Sequence, residues 1–430
     1  MKILHITPGY LPPNCSGSIS YARILSKWLA QSHEVVVFCS EHNVYAPNFL
    51  LSMEEEQGIK IYRINMAGVQ EAFSVSAVDE ALKEVLETEH PDIVHIDHLH
   101  ELSLGIPIVI KQAGIPQIAT LHDFWYMCPK GQFIQHNFHP NHVYRLCDGQ
   151  DNYKCAATCY RSQMTSVPDF MQTQLSYWTK WVGARMEAAR KAMDCLDLLV
   201  APSAHLRERY IQDFTVPAEK IRHLPFTCTK QTYNLLRTNQ DFRPFTFGFL
   251  CTMLPGEGAH FLLEAFGQLT AKAQLIIFGE PHGNGLSVLR SLAEACPLPV
   301  HFYPDYKPYA IRESVFEKVD CVVVPSLWMD NSPLSIYEAQ ACGIPVITAN
   351  AGGMAELVHN RENGLLFEHR NAYSLAEQMA FAIENPEEME RMGQRGYLND
   401  PQGRVPSLEQ HGTTLLHWYE ELIQQPHAFA

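Results

Sequence analysis

PSLWMDNSPLSIYEAQACGIPVI, residues Pro325 to Ile347, is the most informative stretch of the chain. It follows the apolar run Cys321-Val322-Val323-Val324, which reads as a buried parallel strand, and it leads into a second such run from Pro345 to Ala349. The spacing between them predicts a loop and one short helix with Pro333 in its first turn. Two carboxylates, Asp330 and Glu338, bracket the start of that helix with seven residues between them. An ionised carboxylate such as Glu338 can accept two hydrogen bonds from a vicinal diol. The first N–H groups of the helix, near Leu334 and Ser335, favour an anion such as a phosphate.

Working outward, strand-like and helix-like segments alternate along all 430 residues. Strands are predicted over Lys2–Thr7, Glu34–Ser40, Ile59–Ile64, Asp92–Ile96, Pro116–His122, Leu198–Ser203 and Ile221–Pro225. A second series runs Phe245–Leu250, Gln274–Gly279, Val300–Tyr303, Cys321–Pro325, Pro345–Ala349 and Gly364–Phe367. Helical patterns such as Ile19–Ala30 and Glu101–Gln112 lie between strands. Such alternation implies parallel sheets wound on both faces, and two series imply two α/β Rossmann-like domains, 1–226 and 244–406, joined by the polar stretch Thr227 to Arg243. A last helical pattern, Ser407 to Gln425 within 407–430, lies beyond the final strand. Ligands in open α/β sheets bind at the carboxyl ends of strands, so the loops after the strands carry the candidates.

The formal net charge of −15 argues against nucleic acid as partner, because phosphate binding needs cationic surface. The N-terminal residues run straight into a strand, with no signal-peptide pattern, and no apolar run approaches the roughly 18 residues that span a bilayer. A cytoplasmic protein is the expectation.

The segment Asp320 to Phe367 resembles the donor-sugar site of family 4 (group 1) retaining glycosyltransferases, where two acids with seven residues between them flank such a helix. Ala351-Gly352-Gly353-Met354-Ala355-Glu356 is similar to that family's Gly-Gly-x-x-Glu turn, and Asn363-Gly364-Leu365-Leu366-Phe367 to its closing turn and strand. The resemblance implies the GT-B fold: two Rossmann-like domains facing a cleft, with a C-terminal helix crossing back to the first. It implies transfer of a sugar from a nucleotide-sugar donor (UDP- or GDP-sugar) to a hydroxyl of a glycan or lipid-linked acceptor with retention, without a catalytic metal. By the same resemblance Glu338 takes the nucleotide ribose, Asp330 and His122 support the sugar, and Asn331, Ser332, Pro333, Leu334 and Ser335 line the donor.

Gly17 and Ser18 stand where the family's first loop commonly carries two glycines. His95, His98 and Asp123 fall on the acceptor side. Base contacts are expected near Gly279 and Tyr303. The diphosphate loop departs from the family: Cys251 replaces a Gly, Thr252 sits near the usual Arg, and Glu257 replaces the usual Lys. Two alternatives therefore stay open, a GT-B binding or scaffold protein without turnover and a sugar-nucleotide epimerase.

Two further features stand apart. Cys128, Cys147, Cys155 and Cys159 fall in an insert spanning about 124–165, the last two spaced as in structural zinc sites, with an iron–sulfur cluster or free thiols as alternatives. His136, His139 and His142 could join them. From Met171 to Met193 the residues Met171, Leu175, Trp178, Val182, Met186, Ala189 and Met193 form one helical stripe, broadened by Tyr177 and Trp181 and flanked by Lys180, Arg185, Arg190 and Lys191. This pattern suggests peripheral contact with the inner membrane face, or packing on the first domain's sheet.

Overall fold

The computed structural model describes residues 1–10, 17–69, 72–135, 144–164, 168–227, 243–250, 254–279, 285–303 and 311–425. Thr252, the middle of the Thr227–Arg243 linker, and His136, His139 and His142 lie outside them. The chain divides into two compact units, Met1–Leu224 with Leu408–Ala430, and Pro225–Ser407.

The first unit holds strands β1 (Lys2–Thr7), β2 (Glu34–Glu41), β3 (Leu51–Glu56), β4 (Ile59–Asn65), β5 (Ile93–Ile96), β6 (Gln117–Thr120), β7 (Leu198–Ala201) and β8 (Ile221–His223). They form one sheet in the order β3-β4-β2-β1-β5-β6-β7-β8. Every pairing is parallel except that of β3, which runs antiparallel to β4. Its helices are α1 (Gly17–Leu29), α2 (Ser76–Glu89), α3 (Ile106–Gln112), α4 (Asn152–Thr158), α5 (Pro168–Cys195) and α6 (Ala204–Phe214). The α3 helix begins later than its sequence pattern because Pro107 suits a first turn and not an interior.

The second unit holds α7 (Ala259–Phe266), α8 (Gly285–Glu294), α9 (Leu334–Ala341), α10 (Met354–Leu357), α11 (Ala372–Glu384) and α12 (Pro386–Arg395). Its strands are β9 (Phe245–Leu250), β10 (Ala273–Phe278), β11 (Val300–Tyr303), β12 (Cys321–Val324), β13 (Val346–Ala349) and β14 (Gly364–Phe367), in the order β11-β10-β9-β12-β13-β14 and all parallel. The order of connection reverses between β1 and β5 in the first unit and between β9 and β12 in the second. Those two points are where this class of sheet opens a crevice for ligand.

The final helix, α13 (Leu408–Gln424), belongs to the first unit. It packs on α1, where Gly412 allows close approach: a Cβ there would stand 2.2 Å from Trp28. The buried stripe of α13 is His411, Leu415, Tyr419 and Leu422, so two polar residues enter the core. Both are satisfied. His411 Nε2 meets the Tyr21 hydroxyl at 2.8 Å, and the Tyr419 hydroxyl meets His95 Nδ1 at 2.5 Å.

Buried polar atoms left without a partner are costly, so this helix is held by hydrogen bonds as well as apolar area. Replacing Tyr419 by Phe keeps the ring and strands His95 Nδ1. The expected cost is about 1–3 kcal/mol of stability, read as a lower urea midpoint with an unchanged slope.

Candidate functional site

In the second unit, β12 delivers Pro325 to Ser332 into a buried loop. Asp330 is 8% exposed and accepts a 3.1 Å hydrogen bond from Ser326 Oγ at its Oδ2. Its carbonyl accepts from Gly353 N at 2.8 Å. The adjacent Gly352 has φ +58°, and a Cβ there would meet the Asp330 carbonyl oxygen at 2.5 Å. The Gly352-Gly353 turn is thus what lets the loop after β13 close on Asp330. Asn331 and Ser332 are buried, and Ser332 Oγ lies 3.2 Å from the Tyr337 hydroxyl. Pro333 caps α9 without a side-chain bond, so the first amides of α9, those of Leu334 and Ser335, come at the helix's positive end.

Glu338 lies one turn into α9 and is half-buried; burial pushes its carboxyl up to about 7. Glu257 follows β9, across the switch point from Asp330. Burial, with the charge of Asp330 second, pushes Glu257 up to about 8. Glu257 therefore holds its proton at neutral pH and can act as an O–H donor rather than an opposing charge. The backbone around it is tightly specified: Leu327 N donates to Gly256 O at 2.8 Å. Gly258 has φ +84°, and a Cβ there would collide with the Pro325 carbonyl oxygen at 2.2 Å.

Sequence reasoning missed two basic side chains, the cation Arg370 and His369, whose imidazole burial and the Arg370 charge push below its ordinary value. Arg370 donates from Nη1 to Leu327 O at 2.7 Å, and His369 Nε2 meets Ser326 O at 3.1 Å. Both lie just past β14, and together they brace the first residues of the loop that carries Asp330. Their position after the last strand of the sheet was the available signal.

In the first unit, His122 lies two residues past β6. Its ring meets that of Tyr21 edge-on at 5.3 Å. Burial, then the charge of His98, lowers its imidazole to about 3, so it is neutral at physiological pH. Asp123 closes the following turn. Its Oδ1 accepts from Trp125 N at 2.7 Å and lies 3.5 Å from His98 Nε2, and its carbonyl accepts from the Tyr210 hydroxyl at 3.1 Å. Burial raises the Asp123 carboxyl, but His98 and the Trp125 amide outweigh it and hold the group below its usual range. Asp123 thus secures its own turn. His98 Nδ1 accepts from His100 N at 2.9 Å, which leaves Nε2 as the nitrogen facing Asp123. Gly17 and Ser18 open α1.

The acceptor-side expectation for His95 is corrected. It is fully buried, fixed between Tyr419 and Thr120 Oγ1, the latter at 2.8 Å from Nε2. It stacks on His5 at 5.0 Å, and His5 Nδ1 lies 3.1 Å from Asp97 Oδ2. A central strand turns its side chains into helices on both faces, so His95 is an interior residue.

The apolar stripe of α5 is turned inward over its second half, and Arg185 with it. Val182, Met186, Ala189 and Met193 are buried. Arg185 is 1% exposed, lies over the Trp125 ring at 4.4 Å and donates to the carbonyls of Trp125 and Tyr126. Arg190 lies over Phe214. Trp178 stacks on Tyr160 at 4.9 Å, and Trp181 meets Phe73 edge-on. These contacts pack α5 on the rest of the first unit. Among the described residues no helix is long and apolar enough to cross a membrane.

The four insert cysteines line one small cavity with Pro129, Lys130, Phe133 and Ile134. Burial raises the Cys128 thiol to about 11 and the Cys155 thiol to about 12. As the side chains stand, no three His, Cys, Asp or Glu groups among the described residues are arranged to hold a metal ion, and this includes His95, His98 and His100.

Two parallel α/β units with these strand orders define the GT-B class of fold. Solved structures agree: sucrose-phosphate synthase from Thermosynechococcus elongatus matches with a TM-score of 0.69 and 16% identity over 98% of both chains. HepE from Anabaena, solved with UDP-glucose, matches with a TM-score of 0.65 and 16% identity over 98% of this chain and 100% of its own. The model of glycosyltransferase family 4 matches residues 16–225, and that of glycosyl transferases group 1 matches residues 238–399. The chain belongs to the family 4 (group 1) glycosyltransferases. Among curated relatives, D-inositol 3-phosphate glycosyltransferase of Rhodococcus jostii is 31% identical over 156 residues, 34% of each chain. That of Corynebacterium glutamicum is 29% identical over 154 residues, 34% of this chain and 37% of its own. The match thus spans about a third of the length of these relatives.

The raised carboxyl of Glu257 has a consequence for stability. Between its ordinary value of 4.5 and about 8, the folded chain holds a proton that the unfolded chain releases. Stability falls as pH rises through that window. Glu257→Gln removes the effect, so the variant's melting temperature should gain on the wild type by a few degrees between pH 5 and pH 8. Parallel melting curves for the two proteins check this.

Proposed function

We propose that the protein transfers a sugar from a nucleotide-sugar donor to an acceptor hydroxyl with retention of configuration. The observation that carries this reading is the placement of Asp330 and Glu338 around the start of α9, at the switch point of a sheet whose ligands belong there. Glu338 accepts the ribose hydroxyls, and the α9 N-terminus faces the diphosphate. Asp330 takes hydroxyls of the transferred sugar. Neutral Glu257 offers an O–H donor where relatives carry a cation. In the transfer, the bond from the anomeric carbon to the phosphate oxygen breaks and the bond to the acceptor oxygen forms on the same face. The acceptor's proton passes to the departing phosphate, and a nucleoside diphosphate leaves.

The donor is a UDP- or GDP-sugar and the acceptor a glycan or lipid-linked hydroxyl, handled in the cytoplasm. Half-buried Met171, Leu175 and Trp178 and exposed Tyr177, on the first half of α5, are the part of that helix left for peripheral contact with a membrane's inner face.

Calorimetric titration with UDP, GDP and their sugars tests the reading. Binding by one nucleotide is expected. Its affinity should rise as pH increases through about 7, because Glu338 accepts best when ionised. Glu338→Ala should lose about 1.5–3 kcal/mol, roughly 10- to 100-fold in affinity. Absence of binding by every nucleotide would overturn it. Glu257 in place of the family's Lys favours one second reading, a binding protein without turnover, which nucleotide binding with no donor consumption in the presence of glycan acceptors would establish.

A further inference from the structure

Among its described residues, the insert after His122 has little regular structure beyond α4, a 3-10 turn at Arg161–Gln163 and one isolated bridge, Ile134 to Leu146. It nevertheless brings four sulfurs from three separate places to one cavity. Cys155 and Cys159 lie on one face of α4, one turn apart; Cys159 is its C-cap. Cys128 opens the tight turn Cys128-Pro129-Lys130-Gly131, closed by Gly131 N to Cys128 O at 2.8 Å with Gly131 at φ +80°. In that turn the amides of Lys130 and Phe133 point at the Cys128 sulfur. Cys147 is brought alongside by Cys147 N to Phe133 O at 2.7 Å and Gln135 N to Arg145 O at 2.7 Å.

The cavity between the sulfurs is about 10 Å³, close to the volume of one small sphere. All four cysteines are free thiols. Two of the sulfurs are engaged by carbonyls, Cys147 Sγ donating to Gly149 O at 3.0 Å and Cys159 Sγ to Ile134 O at 3.8 Å. Those local bonds explain why the four sulfurs do not already converge, and a change of χ1 rotamer re-aims a cysteine at little cost.

We propose that Cys128, Cys147, Cys155 and Cys159 form a tetrahedral thiolate site for a single zinc ion. Binding releases four thiol protons to solvent and leaves a site of net charge −2, which Lys154, beside Cys147, and Lys130 offset. An amide-supported turn on one side and a one-turn cysteine pair on the other fit closed zinc sites made of four thiolates. The ion would fix the turn that begins at His122. Cys128 N donates to Phe124 O at 2.7 Å, and Phe124 N to Gly131 O at 2.9 Å, so the turn and the site share backbone.

Elemental analysis of the purified full-length protein tests this. About one zinc per chain is expected. Cobalt exchanged into the same protein should show thiolate-to-cobalt charge transfer and the strong d–d bands of a tetrahedral site. Cys155→Ser with Cys159→Ser should carry no zinc. Should that variant fail to fold, titration of the wild type with a mercurial should release one zinc for about four thiols consumed. Iron with acid-labile sulfide, disulfides among the four cysteines, or four reactive thiols in metal-free folded protein would each overturn the proposal.

Discussion

Parallel pairing of β9 with β12, Phe247 opposite Cys321 and Gly248 opposite Val322, is the constraint on which the second unit depends. Two strands distant in sequence start together and end together, so the loops after them must share one crevice. The pairing is pinned at its base, where Asp320 accepts from Thr246 N and from Arg243, each at 2.7 Å. It is also tight along its length: a Cβ on Gly248 would stand 2.7 Å from Val319. At the far end Gly258 can pass over Pro325 only because it has no side chain. Glu257 and Asp330 are brought near each other by this geometry, before any chemistry is asked of them.

That nearness sets the electrostatics. Two ionised carboxylates in a half-buried crevice repel by about 4 kcal/mol at ~4 Å and an effective dielectric of ~20. Holding one proton is the less costly state for the pair, and burial with the neighbouring Asp330 pushes the Glu257 carboxyl up. The crevice therefore carries less negative charge than its sequence indicates. The first N–H groups of α9 are oriented dipoles that add no mobile charge to it and favour negative charge at the helix start. Arg370 and His369 contribute in a different way. They bind the carbonyls of Leu327 and Ser326, so their effect on the crevice is to hold its backbone in place.

The parallel strands were legible because buried strands read as short apolar runs, and the paired acids because their spacing is tied to a strand, a loop and a helix start. Strand β3 was not, since Leu51-Ser52-Met53-Glu54-Glu55-Glu56 is an exposed edge with neither an apolar run nor an alternating core face. The neutrality of Glu257 was illegible because a carboxyl's state depends on burial and on neighbours remote in sequence. Arg185 read as one of the basic residues flanking the α5 stripe, yet it is buried and its charge is met by backbone carbonyls of the Trp125 turn and by the ring beneath it. His95 read as a cleft residue for the same reason: its partner Tyr419 lies 324 positions away.

That long-range partnership explains how a single helix at the end of the chain can be placed uniquely. An apolar stripe alone would let α13 slide or rotate over α1 at modest cost, because hydrophobic contact is non-directional. His411 and Tyr419 remove that freedom. A shift of one residue would turn both away from Tyr21 and His95 and break both buried hydrogen bonds, at about 1–3 kcal/mol for each. The same bonds reach the candidate site, since Tyr21, which His411 holds, is the ring against which His122 rests. The orientation of His122 in the first unit is therefore set partly by the last helix of the chain.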